Sequence, residues 1–286
     1  MGPPKVDSVQ PNVNRPTISN APPSSIDVSK IEVDSPEFKN LPPAYQKAVS
    51  DAKTYAARFK DMSPPPKIMV TASSDKTNGG QPVTVVVPPG AKPPMTVQTH
   101  YHGDRAHSLS GTNGAAEQIA DNIRKGDTTV YVLPEAQKPA DSGTDWTNCK
   151  DIGGTTREAL KNAGVPADGA TFDISVHSGG GRALANAINN GEKIQARELT
   201  LQDATYENAW STLKAKLGDQ KGIKHVTIQG SKEADGTLGA RHTSLQKILS
   251  QAGIPTDIAP KTETHDQASR TFTPPAAHQV DRFEHR

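Results

Sequence analysis

Apolar and polar positions along the 286-residue chain fall into three regimes. From residue 1 to about 40, Pro, Ser, Asn and Asp dominate and large apolar side chains are few. Such a composition cannot offset the entropy lost on ordering the backbone, so a disordered arm is expected there. The run "PPAYQKAVSDAKTYAARFKDM" then brings Tyr45, Val49, Ala52, Ala56 and Phe59 at helical spacing, with Pro42 and Pro43 before it and Pro64 to Pro66 after it. One helix is predicted within 41–62, docked on the domain or part of a linker. The end of the chain, "TFTPPAAHQVDRFEHR" from Thr271, returns to an unpacked pattern.

Between 63 and 270 the pattern becomes regular. "KIMVTAS" and "QPVTVVVPPG" are β-branched runs separated by the turn formers "SDKTNGG", which predicts an antiparallel opening pair. From there strands and helices alternate: "MTVQTHY", "TTVYVLPE", "ATFDISV", "ARELTLQD", "KHVTIQG" and a short "PTDIAP" read as strands. Between them "GAAEQIADNIRKG", "TTREALKNAG" with a threonine cap, "GGRALANAINNG", "NAWSTLKAKLG" and "HTSLQKILSQAG" read as helices. Short connections between alternating strands and helices predict an α/β fold, a mostly parallel sheet with helices on both faces. One feature runs against that expectation: Phe172, Ile174 and Val176 alternate with polar residues, whereas a parallel strand covered on both faces is usually apolar throughout.

Composition narrows the function classes. With 32 basic and 31 acidic residues well mixed, the chain has no electrostatic footprint for nucleic acid, and a small-molecule or peptide-like substrate fits better. A single cysteine, Cys149, provides no internal disulfide. No window reaches membrane-spanning length and the start lacks the apolar core of a signal peptide. A cytoplasmic protein, or one exported without a standard signal, is expected.

The candidate chemistry begins at "SVHSGGGR", where Ser178 ends the fifth strand of the regular series and three glycines follow. A serine on a strand-to-helix turn is held in a strained conformation that lifts its hydroxyl above the sheet, and small neighbours let the chain reverse. The usual spelling is G-x-S-x-G; here Val176 replaces the first glycine while Gly180 keeps the second. A glycine-rich packing turn, or a phosphate loop at a helix N-terminus, is the plainer alternative. A serine nucleophile needs a base held by an acid. Asp203 follows the next strand and His265 follows the last, giving the chain order Ser178, Asp203, His265. Glu233 and Asp235 are rival acids and His242 a rival base, while His177 serves equally well as a packing residue. The oxyanion formed at such a serine needs two backbone N–H donors. Gly179 and the loop "HYHGD", with His102 or Gly103, are placed to supply them.

With these residues the chain resembles the α/β-hydrolase superfamily, specifically bacterial serine hydrolases with an "HG" oxyanion loop, a strand ending "YVLPE" and an "HSGG" elbow. The resemblance covers roughly 65 to 270 and implies a Ser-His-Asp hydrolase that cleaves an ester or amide and needs no cofactor. A second resemblance competes with it. "THYHGD" is similar to the H-x-H-x-D signature of metallo-β-lactamase-type zinc hydrolases, which would make His100, His102, Asp104 and His177 metal ligands, with Asp203 and His265 available beyond them. Against it stand the helical "GGRALANAI" after His177 and the strand-helix alternation. A non-catalytic binding module on the same fold is the third reading.

Overall fold

The two β-branched runs pair antiparallel across their turn, and the later strands add to the sheet beside them. The computed structural model describes residues 23–104, 107–109, 114–137, 146–232, 236–264 and 268. In chain order the strands are β1 (Ser25–Asp27), β2 (Lys67–Ala72), β3 (Pro82–Val87), β4 (Thr96–Tyr101), β5 (Val130–Pro134), β6 (Thr171–His177), β7 (Ala196–Gln202), β8 (Ile223–Gln229) and β9 (Thr256–Ile258). The helices are α1 (Pro36–Lys39), α2 (Pro43–Ala56), α3 (Gly114–Arg124), α4 (Ile152–Asn162), α5 (Gly181–Asn189), α6 (Glu207–Lys216) and α7 (Gly236–Gln251). The strands form one nine-stranded sheet in the order β1-β2-β3-β5-β4-β6-β7-β8-β9. From β5 to β9 across this order, every neighbouring pair is parallel.

The expected arm needs correction from residue 23 onward. Ser25–Asp27 adds an antiparallel edge to β2, and Ile26, Val28, Phe38 and Leu41 are all buried. Few apolar side chains suffice there because the backbone hydrogen bonds of β2 supply the rest. Residues 271–286, expected to be unpacked, lie outside the described residues. The fourth helix also starts earlier than "TTREALKNAG" predicts. Asp151 caps it by accepting the Gly154 N–H at 2.6 Å, so the chain is already helical before Thr155.

Two layers of helices clamp the sheet. On one face α2 buries Tyr45, Ala48, Val49, Ala52 and Tyr55, and these pack with Ile119 and Ile123 of α3 over Ile68, Val86, Tyr131 and Leu133. On the other face Leu160 of α4 lies over Val85, Val97 and Val132. Farther along the same face, Leu184 and Ile188 of α5, Leu213 of α6 and Leu245 and Leu249 of α7 cover Ile174, Val176, Leu199, Leu201, Val226 and Ile228. Leu184 is fully buried at the centre of this cluster. Truncation to alanine is expected to cost about 2–5 kcal/mol. Thermal or urea unfolding reads that loss, and an unchanged midpoint would contradict the packing described.

The alternation in β6 to β8 now has a physical reason. Their polar positions share the face that carries α2 and α3 elsewhere, and the apolar cluster under those helices does not extend to β6 to β8. Asp173, Glu198 and His225 stand in register across these three strands, as do Ser175, Thr200 and Thr227. His225 bonds Glu198 through Nδ1 at 2.7 Å and lies 3.3 Å from Asp257 through Nε2. Arg197 pairs with the buried Asp173. Asp173 with Arg197, and Glu198 with His225, thus pair across neighbouring strands.

Candidate active site

Ser178 stands directly after β6, half-buried, with φ 50. A non-glycine residue in this left-handed region costs of order 1–3 kcal/mol and persists only where the surroundings hold it. The surroundings are the three glycines that follow. A Cβ on Gly180 would drive into the carbonyl oxygen of Tyr101, one on Gly181 into that of Ala204, and one on Gly179 into the carboxylate of Asp104. The first turn of α5 is therefore pressed between the ends of β4 and β7, which is why the sequence needs "GGG". Gly180→Ala is expected to lose at least about 1–3 kcal/mol of stability, because the obstruction is backbone that cannot rotate away. A melting curve superimposable on that of the unsubstituted protein would refute this account.

The loop after β4 meets this turn. A Cβ on Gly103 would lie 2.9 Å from both Ser178 Cβ and His177 Nδ1, so only glycine lets the backbone come so near the serine. Asp104, the next residue, accepts from Arg182 Nη2 of α5 through both carboxylate oxygens, at 2.6 and 2.7 Å. Asp203 ends β7 in the same way that Ser178 ends β6. It follows the register pair of His177 with Gln202, has φ 46, is fully buried and accepts the Ser231 N–H at 3.1 Å. Two adjacent parallel strands thus both close on a strained polar residue at the same edge of the sheet.

A serine at a left-handed strand-to-helix turn, on the carboxyl edge of a mostly parallel sheet with helices on both faces, decides the architecture. The chain has the α/β-hydrolase fold. No protein-family model matches the chain, and no curated protein sequence matches it. Solved α/β structures similar to it include a thermostable esterase from Pseudomonas putida, 15% identical over 86% of this chain and 90% of that one, with a TM-score of 0.44. A ferulic acid esterase is 14% identical over 71% of this chain and 93% of its own, with a TM-score of 0.47. An esterase from Thermogutta terrifontis is 13% identical over 68% and 82%, with a TM-score of 0.44. The assignment of this chain to the α/β-hydrolase fold rests on its own strand order and its elbow.

Within this α/β-hydrolase sheet the other candidate residues find distinct places. His100 is fully buried on the α2–α3 face, where Nδ1 meets Ser175 Oγ at 2.8 Å. Burial holds its pKa well below the usual histidine range, with His177 and His102 adding to the effect. His102 is also fully buried, with Nδ1 2.9 Å from the Gly103 carbonyl and its ring 4.9 Å from that of Trp146. Among the described residues, no three His, Cys, Asp or Glu side chains stand together as a metal ion would require. Of the four residues of the zinc reading, His100 meets Ser175, His102 the Gly103 carbonyl and Asp104 the Arg182 guanidinium, and His177 lies against Gly103. His242, the rival base, lies on α7 beside Gly230 and Asp203. Its burial lowers its pKa, opposed by Asp203 and assisted by Lys261. His265, Glu233 and Asp235 lie outside the described residues.

Sequence reasoning missed three residues around this loop. Arg182 of α5 fastens it, Trp146 packs edge-on to Tyr101 and tilted against His102, and Glu135 receives contacts from Ser108, His107 and His102. Glu135 closes the "YVLPE" run, and an acidic residue immediately after a buried apolar strand was the signal that could have singled it out.

Proposed function

We propose that this protein is a serine hydrolase that cleaves carboxylic esters through an acyl-enzyme intermediate. The observation that carries the proposal is the elbow: Ser178 at φ 50, with Gly103 so close that a side chain there would collide with it. Ser178 Oγ attacks the carbonyl carbon while His265 takes its proton. The tetrahedral oxyanion is held by backbone N–H groups at Gly179 and at the Gly103 loop. Collapse expels the alcohol, which receives its proton from His265, and water then repeats the sequence to release the acid. Asp203 orients His265 and balances the charge of the imidazolium. Its burial, its strained backbone and its place one strand from the elbow support this role.

The direct test is labelling of the full chain with a fluorophosphonate, followed by mass-spectrometric mapping of the adduct. Modification at Ser178, together with turnover of a p-nitrophenyl ester, is the expected result. A folded protein that turns over the ester without any adduct at Ser178 would move the chemistry elsewhere. Loss of turnover on chelation, with about two zinc ions per chain, would return the zinc reading.

A further inference from the structure

We infer that Glu135 is a positioning residue for the oxyanion loop, acting through His102 to fix the Gly103 peptide against Ser178. The inference rests on the serine-hydrolase reading above. Glu135 stands one residue past the end of β5, buried, and its carboxylate faces the loop from below. Oε1 accepts the Ser108 N–H at 3.0 Å, and Oε2 lies 3.4 Å from His107 Nδ1 and 3.4 Å from His102 Nε2. The backbone around it is equally fixed. Ser108 Oγ donates to the Pro134 carbonyl at 2.8 Å, Glu135 N–H donates to the Pro82 carbonyl, and Asn78 donates to the Glu135 carbonyl at 2.9 Å.

His102 links this anchor to the reacting edge. Its ring stands between the Gly103 carbonyl, 2.9 Å from Nδ1, and the Glu135 carboxylate, 3.4 Å from Nε2. Without the carboxylate beside it the buried ring loses the neighbour that fixes its orientation and can turn. That turn releases the Gly103 carbonyl. The backbone at Gly103 then loses a restraint on both sides of its Cα, and with it goes the alignment of the loop beside Ser178. The Asp104–Arg182 pair fastens the next residue of the same loop to α5.

The charge state of Glu135 agrees with this arrangement. Burial pushes its pKa up, but the contacts from His102 and His107 outweigh burial and bring it to about 2. For a carboxylate held below its ordinary 4.5, the stabilisation is complete above that value and is lost as pH falls toward 2. The stability difference between the unsubstituted protein and Glu135→Gln is therefore expected to shrink across that window. The ionisable groups that face the carboxylate are His102 and His107.

The experiment measures kcat and KM for p-nitrophenyl acetate, with fluorophosphonate labelling of Ser178 run in parallel, on the full chain and on Glu135→Gln. Losing the alignment of one oxyanion donor lowers kcat about 100-fold. The expected result is that fall with KM within about twofold, since the contact acts on the transition state more than on the bound ester. Should Glu135→Gln fail to fold, Glu135→Asp keeps the charge but withdraws it by one methylene, and the same fall in kcat is expected. A folded variant with unchanged kcat, or one whose loss lies wholly in KM, overturns the positioning role while leaving Ser178 in place. If the unsubstituted protein shows neither labelling nor turnover, the hydrolase reading fails and the role of Glu135 falls with it.

Discussion

Replacing Ser178 with alanine is expected to abolish ester turnover, a loss of about 10⁶-fold in kcat, and to remove the fluorophosphonate adduct while the fold remains. The size of the effect follows from the division of labour in such a site. The oxyanion donors and the binding surface still accelerate attack by water, but the covalent intermediate is gone, and removing the nucleophile alone costs nearly as much as removing the whole triad. The fold survives because alanine at φ 50 carries the same backbone strain as serine and touches the same glycines. Circular dichroism and the melting temperature should match those of the unsubstituted protein. Retained turnover in a folded Ser178→Ala protein would end the serine-hydrolase proposal, whatever the neighbouring residues do.

The second large effect concerns the acid. Asp203→Asn keeps the shape of the side chain but lets the base histidine take the wrong tautomer, and a loss of about 10⁴-fold in kcat is expected. Asp235→Asn and Glu233→Gln should change kcat by less than about tenfold. The comparison discriminates because the chain offers both locations. Lys232 N–H donates to the Thr262 carbonyl at 2.7 Å, and Thr262 N–H to that of Gly230 at 3.0 Å, so the segments leading to Asp235 and to His265 run side by side. Asp203 for its part accepts the Ser231 N–H and lies beside His242. If Asp235→Asn proves the crippling change, the acid belongs to the end of β8. Asp203 then holds the Ser231 turn and His242 in place, and its substitution should be felt in the melting temperature rather than in kcat.

The fold was legible wherever periodicity and turn chemistry agreed. The strands from β2 to β9 and the helices between them lie close to where their apolar spacing placed them, and Ser178 could be read from seven or eight consecutive residues because an elbow is a local structure. What could not be read lay in contacts between distant segments. β1 is three residues long and owes its existence to pairing with β2, so no pattern within it announces a strand. Glu135 and Ser108 are 27 residues apart, and Asp104 and Arg182 are 78 apart. Their acidic and basic side chains look like ordinary solvated charges until the sheet brings them together. The histidines of "QTHYHGDRAH" show the same limit: their spacing suggested a common metal, but His100 faces Ser175 across the sheet while His102 and His107 converge on Glu135.

The uneven sheet has a consequence for how this protein can change. Over β6 to β8 one face is constrained by the shapes of α5, α6 and α7, so a substitution there must suit many neighbours at once. The opposite face is constrained mainly by charge and hydrogen bonding between strands, as in Asp173 with Arg197 and Glu198 with His225. A charged residue on that face must suit its partner on the adjacent strand, and a pair exchanged together keeps the charges matched. The polar face is therefore the part of the domain where sequence can drift in matched pairs.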